Sequence, residues 1–103
     1  MQELFMKQNI LPDGIELKLS GELVFIDSQE FMREIPFRAE DHGPRIVLDM
    51  KDVTFIDSAG LGAVLYVSEA LRMSSKKLII KRANENNLKL LKSIQNVGTF
   101  RIE

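Results

Sequence analysis

The segment Arg45-Ile46-Val47-Leu48-Asp49-Met50 constrains the fold more than any other part of the chain. Its apolar residues fall on consecutive positions instead of alternating. That is how a strand reads in a parallel sheet covered on both faces. Parallel neighbours need a long crossover, usually a helix, and one follows. After Phe55-Ile56 comes Asp57-Ser58-Ala59-Gly60, then an amphipathic run to Met73. Leu61, Val64, Leu65, Ser68 and Leu71 share one face of that run at helical spacing.

The rest of the chain extends the alternation. Residues 3–10 read as a short strand. Leu11-Pro12-Asp13-Gly14 is a turn, since proline presets one dihedral and glycine accepts a positive φ. Ile15, Leu17 and Leu19 then alternate with Glu16, Lys18 and Ser20 as in a half-buried strand, so the two runs form a hairpin. Asp27-Ser28-Gln29-Glu30 has the form of a capping box, with Asp27 as cap and a helix through Phe31, Met32 and Ile35. Pro36 is expected to kink or stop that helix, because it lacks the amide donor. Gly43-Pro44 punctuates, Ser74-Ser75 breaks the long helix, and Leu78-Ile79-Ile80 is a short core strand. Asn84 caps a last helix carrying Leu88, Leu91 and Ile94 and ended by Gly98; Thr99 to Ile102 make a final strand. The order is β-β-α-β-α-β-α-β. This is a single α/β domain over residues 1–103, with a mixed, mostly parallel sheet covered by helices.

The totals exclude several functions. Acidic and basic residues nearly cancel, 15 against 14, with no block of one sign, so the electrostatic footprint of a nucleic-acid binder is missing. With no cysteine there is neither a disulfide framework nor a thiolate nucleophile or metal site, which suits a reducing, cytoplasmic setting. The start Met1-Gln2-Glu3-Leu4-Phe5 has no leader pattern, and no apolar stretch reaches membrane-span length.

Chemistry concentrates in Phe55-Ile56-Asp57-Ser58-Ala59-Gly60-Leu61-Gly62, between a core strand and a helix. Asp57 or Ser58 is the natural N-cap, since either side chain can accept from an orphan amide of the first turn. Helix starts also favour anions. A phosphate on Ser58 would thus be tolerated by the fold, yet add about −1.5 to −2 charges beside Asp57. Ala59, Gly60, Gly62 and Ala63 carry little side chain, and each glycine costs a helix roughly 1 kcal/mol against alanine. Such a cost points to something approaching the backbone. The plain alternative is a cap followed by loop glycines.

This run, preceded by Ile46-Val47-Leu48-Asp49 and Val53-Thr54-Phe55-Ile56, resembles the STAS domain, and within it the bacterial anti-sigma factor antagonists. The resemblance extends from Gly21-Glu22-Leu23 to Thr99-Phe100-Arg101-Ile102. It implies a phospho-switched binding module, not an enzyme, with no cofactor and no metal. Ser58 is then the phosphoacceptor of a serine kinase that doubles as anti-sigma factor, and a metal-dependent serine phosphatase resets it. Neither nucleic acid nor direct membrane binding is implied. Alternatives are a STAS subunit docked constitutively on a transporter or signalling scaffold, and a small anion-binding domain. The chain departs from the family's pattern in having Val24 where an aspartate often follows the glycine-acidic-leucine turn, Ser74-Ser75 in place of a glycine-rich turn, and no further helix before Glu103.

Rival motifs fail on spacing. Gly60-Leu61-Gly62 lacks the third small residue of a dinucleotide loop, since position 65 is Leu65. Asp49 has no acidic pair after the first strand, as a receiver domain would, and reads as a strand-end residue capping a turn. Asp49, Asp52 and Asp57 match no cation loop. His42, the only histidine, lies in a turn signal, which leaves a triad with Ser58 unmotivated. The methionines, Met1 among them, are scattered and read as gap fillers or surface residues. Tyr66 lies off the apolar stripe. The expected partner surface therefore combines the start of the second long helix (Asp57, Ala59, Gly60, Gly62, Ala63 and Tyr66) with the apolar turn before the first (Val24, Phe25 and Asp27).

Overall fold

A computed structural model describes residues 3–103; Met1 and Gln2 lie outside the described residues. The elements are β1 (Phe5–Leu11), β2 (Gly14–Leu23), α1 (Phe25–Ala39), β3 (Arg45–Ile56), α2 (Ser58–Met73), β4 (Lys77–Lys81), α3 (Glu85–Ile94) and β5 (Phe100–Ile102). They follow the expected order. The five strands form one sheet in the order β1-β2-β3-β4-β5, with β1 antiparallel to β2 and every other pair parallel.

The strand order rises steadily along the sheet, so each crossover moves the same way. Right-handed crossovers then put every helix on one face. All three helices accordingly share a single core with Leu17, Leu48 and Ile80. Phe31, Ile35 and Ala39 come from α1, Ala63, Val64, Val67 and Leu71 from α2, and Leu91 from α3. This corrects the expectation that β3 is covered by helices on both sides. Its far-face residue Val47 is buried, aligned with Glu16 and Ile79, without belonging to that core.

β3 runs six residues beyond Met50, to Ile56. Two register shifts against β2 allow it, between Lys18 and Ser20 and between Gly21 and Glu22. Each inserts an extra residue on β3 and rephases its pleat. Gly21 at the second has φ +108, and a Cβ there would lie 2.0 Å from the Glu3 carbonyl oxygen. Only glycine fits that position.

Three local readings need correction. The first helix does not begin at an Asp27–Glu30 capping box. Val24 is its N-cap, with no side-chain bond, and Val24, Phe25 and Asp27 form a helix start instead of a turn. Pro36 does not end the helix, which continues to Ala39; burial of Ile35 and Ala39 on either side of it holds the last turn down. Asp49 is no strand-end residue. It lies inside β3, is 2% exposed, and pairs with Arg82 across the end of β4.

Candidate functional site

The sheet ends where β2 and β3 stop side by side. Leu23 is paired with Ile56, and the Asp57 N–H donates to the Leu23 carbonyl at 3.2 Å. One helix starts from each strand, α1 after Val24 and α2 after Asp57. The parallel pairing of β2 and β3 thus brings two helix N-termini together.

Asp57 is the cap left open between two candidates. Its backbone is extended, its carbonyl accepts from Leu61 N–H at 2.9 Å, and its Oδ1 accepts from Gly60 N–H at 2.8 Å. Its other oxygen, Oδ2, accepts from Phe25 N–H at 3.1 Å. One carboxylate therefore holds the first turn of α2 and the first amide of α1. Ser58 is the first residue of α2 and is exposed.

The proposed surface residues divide. Gly62 and Tyr66 are exposed, Ala59, Val24, Asp27 and Asp57 are half-buried, and Phe25 is 72% exposed, with Ile26 beside it at 67%. Phe25 is thus no core staple. Gly60 and Ala63, however, are buried and cannot contact a partner. The buried face of α2 comprises Gly60, Ala63, Val64, Val67, Ser68 and Leu71, while Leu61 and Leu65 are only half-buried. The helix is rotated from the expected stripe because α2 must pack on α1 as well as on the sheet. Small residues serve that close approach. A Cβ on Gly60 would lie 2.2 Å from the Leu23 carbonyl oxygen, whereas one on Gly62 would meet nothing within 4 Å. Thus the approach that the glycines signalled is internal at Gly60, and only Gly62 leaves open surface.

Other serines are placed differently. Ser28 and Ser68 are buried, and their hydroxyls donate to the carbonyls of Phe25 and Leu65. Ser74 is exposed at the far end of α2. Phe55, 50% exposed two residues before Asp57, lies outside the partner surface expected from the sequence. The insertion in β3 turns it outward, and bulges leave no signature in hydrophobic spacing.

The rival sites are separated by the length of β3. His42 precedes its first residue and Ser58 follows its last, so the twelve-residue strand lies between them. Asp49 and Asp57 are eight positions apart along the same direction, beyond shared coordination of one ion. No cluster of metal-ligating side chains occurs among the described residues.

A second polar group occupies the helix-free sheet face. The Glu16 carboxylate lies 2.5 Å from Lys81 Nζ. Lys81 holds the Glu16 carboxyl below its ordinary value, against the opposing effect of burial, with help from Asn9. Burial pushes the Asp49 carboxyl up, but Arg82 and the Lys51 N–H together outweigh it and bring it below the usual range.

These features define a small α/β module that presents an exposed serine and an apolar helix start at one end of its sheet. The chain belongs to the STAS domain family, whose model matches residues 7–103. Solved structures share the fold. The anti-sigma factor antagonist SpoIIAA in its unphosphorylated form is 17% identical with a TM-score of 0.69, over 96% of this chain and 88% of that one. The phosphorylated form of SpoIIAA from Bacillus is 16% identical with a TM-score of 0.69, over 96% and 91%. The STAS domain of a SulP transporter from Vibrio cholerae is 22% identical with a TM-score of 0.59, over 82% and 69%.

Proposed function

We propose that this chain is a phospho-switched protein–protein binding module, an anti-sigma factor antagonist of a partner-switching pathway. Ser58 is the phosphoacceptor of a serine kinase that also acts as anti-sigma factor, and a metal-dependent serine phosphatase returns it to the free hydroxyl. The module works in the cytoplasm and does no chemistry of its own. The observation that carries this reading is the setting of Ser58. It is exposed on the first residue of α2, while Asp57 supplies the cap, so the serine hydroxyl is not needed to hold the helix. Likeness to a fold solved in both phosphorylated and unphosphorylated forms supports it further.

The partner-facing surface in this reading is Ser58, Ala59, Gly62 and Tyr66 on α2, with Phe25 and Ile26 on α1. A phosphate at Ser58 places charge in a contact that binding would strip of water. Without a matching cation this costs a few kcal/mol. A penalty of about 2–3 kcal/mol is roughly a 30- to 150-fold loss of affinity, enough to exchange partners. The fold tolerates the charge, because a helix N-terminus favours anions.

Co-expression with the cognate kinase, followed by intact mass and peptide mapping, is expected to show one phosphate, on Ser58. Calorimetric titration should find partner affinity kept in Ser58→Ala and reduced in Ser58→Asp. Equal affinities for the two variants, or phosphate mainly on Ser74, would remove the switch. A constitutive complex with a transporter or scaffold, indifferent to Ser58, would replace it with the docking reading.

A further inference from the structure

The start of α1 is an unusual helix terminus. Its N-cap is Val24, which has no side-chain oxygen, and the Phe25 amide is held from 32 residues away by Asp57 Oδ2. The same carboxylate caps α2 through Oδ1. A cap normally belongs to one helix and comes from that helix's own sequence. Here one anion serves two helix starts, and Ser58 is the next residue along the chain. On the α1 side it anchors the exposed pair Phe25 and Ile26.

We propose that Asp57 is a positioning residue that couples Ser58 to the apolar start of α1. The proposal rests on the reading of Ser58 as a phosphoacceptor and adds how the modification reaches beyond the serine. A phosphate on Ser58 brings about two negative charges next to the Asp57 carboxylate, with oxygens that compete for the same first-turn amides. The two anions repel, and the bond to α1 is the one that yields. It is the longer of the two, 3.1 Å against 2.8 Å, and it lies in the more exposed place. With the Phe25 amide freed from Asp57, the α1 start shifts about the remaining bond from the Ser28 hydroxyl to the Phe25 carbonyl, and Phe25 and Ile26 move out of register with Ser58. The switch then alters both halves of the partner surface, although only one is modified.

Asp57→Asn tests the coupling with little other change. Asparagine is as good an N-cap as aspartate. Its carbonyl oxygen can keep the Gly60 bond while its amide group, a donor, faces the Phe25 N–H. Amide exchange by NMR on the isolated chain is expected to rise about fivefold at Phe25 and to stay within about twofold at Gly60. A chain carrying phosphoserine at position 58 is expected to shift the Phe25 amide resonance strongly in the wild-type background and weakly in Asp57→Asn. Should Asp57→Asn fail to fold, Asp57→Ser, which also keeps one acceptor, is read in the same way. Unchanged exchange at Phe25, equal loosening at both amides, or equal phosphoserine shifts in both backgrounds would overturn the coupling. None of these measurements uses a kinase or a partner. If Ser58 is never phosphorylated in cells, the functional reading falls while the exchange result still decides the clamp.

Discussion

Two glycines two residues apart on α2 sit in opposite environments. Gly60 is packed against the end of β2, and a methyl group there would lie 2.2 Å from the Leu23 carbonyl oxygen and 3.0 Å from Ile56 Cγ2. A backbone carbonyl at a sheet end cannot rotate away as a side chain can. Gly60→Ala is therefore expected to cost about 1–3 kcal/mol as overpacking. Gly62 faces open space, so only its helix propensity counts, and Gly62→Ala should gain about 0.5–1 kcal/mol. Urea unfolding of both variants reads the signs directly. A loss at Gly62→Ala would mean that something besides space constrains that position. Any effect of Gly62→Ala on partner binding would then be separable from folding, because that variant is expected to be the more stable protein.

At the scale of elements, α1 is the least self-sufficient helix. It lacks a side-chain cap of its own, and Pro36 lies inside it. Proline there leaves the Met32 carbonyl without its usual donor four residues on. Helices α2 and α3 both carry a local cap, Asp57 to Gly60 and Asn84 to Asn87. What keeps α1 folded is burial of Ser28, Phe31, Ile35 and Ala39 against β2 and α2, together with the bond from Asp57. Pro36→Ala is expected to raise stability by about 1–3 kcal/mol by restoring that donor. A melting temperature unchanged or lowered by the substitution would show that the proline is matched to a bend the helix needs. The start of α3 is tied down more firmly: Asn84 and the buried Asn87 both donate through their side-chain amides to the Val53 carbonyl, next to the second insertion in β3.

Across the whole molecule the sheet has two unlike faces. One carries the helices and the apolar core; the other carries Glu16 of β2 with Lys81 of β4, across β3, and Asp49 of β3 with Arg82 just past the end of β4. Both carboxyls sit below their ordinary values in the folded chain. The unfolded chain therefore takes up protons first as pH falls, and stability declines from the ordinary carboxylate range, about pH 4–5, downward. Above that range the contribution is fully present. Denaturant titrations between about pH 7 and pH 3 should show a plateau followed by this decline. Asp49→Asn should lower the plateau by about 1–3 kcal/mol, since the Arg82 guanidinium loses its anionic partner, and make the acid decline shallower. An acid decline of unchanged steepness in Asp49→Asn would assign it to other carboxyls.

The order of strands and helices, and the placing of Asp57-Ser58-Ala59-Gly60 at a strand–helix junction, are determined by the sequence alone. Their signals are local: alternation in Ile15, Leu17 and Leu19, the consecutive apolar run Ile46-Val47-Leu48, the cap Asn84, and the breaks at Pro12-Asp13 and Ser74-Ser75. Distant partners carry no such signal. The second bond of Asp57 reaches 32 residues back to Phe25, and the Asp49–Arg82 pair spans 33. Gly60 is confined by Leu23, whose carbonyl comes near only because β2 and β3 end together. Ala63 was expected on the free face of α2 and is buried, because the rotation of that helix is set by contact with α1 and not by its own apolar stripe. Periodicity determines that a helix has an inward face; which residues occupy its edges is decided by the neighbouring surfaces, and those exist only in the folded chain.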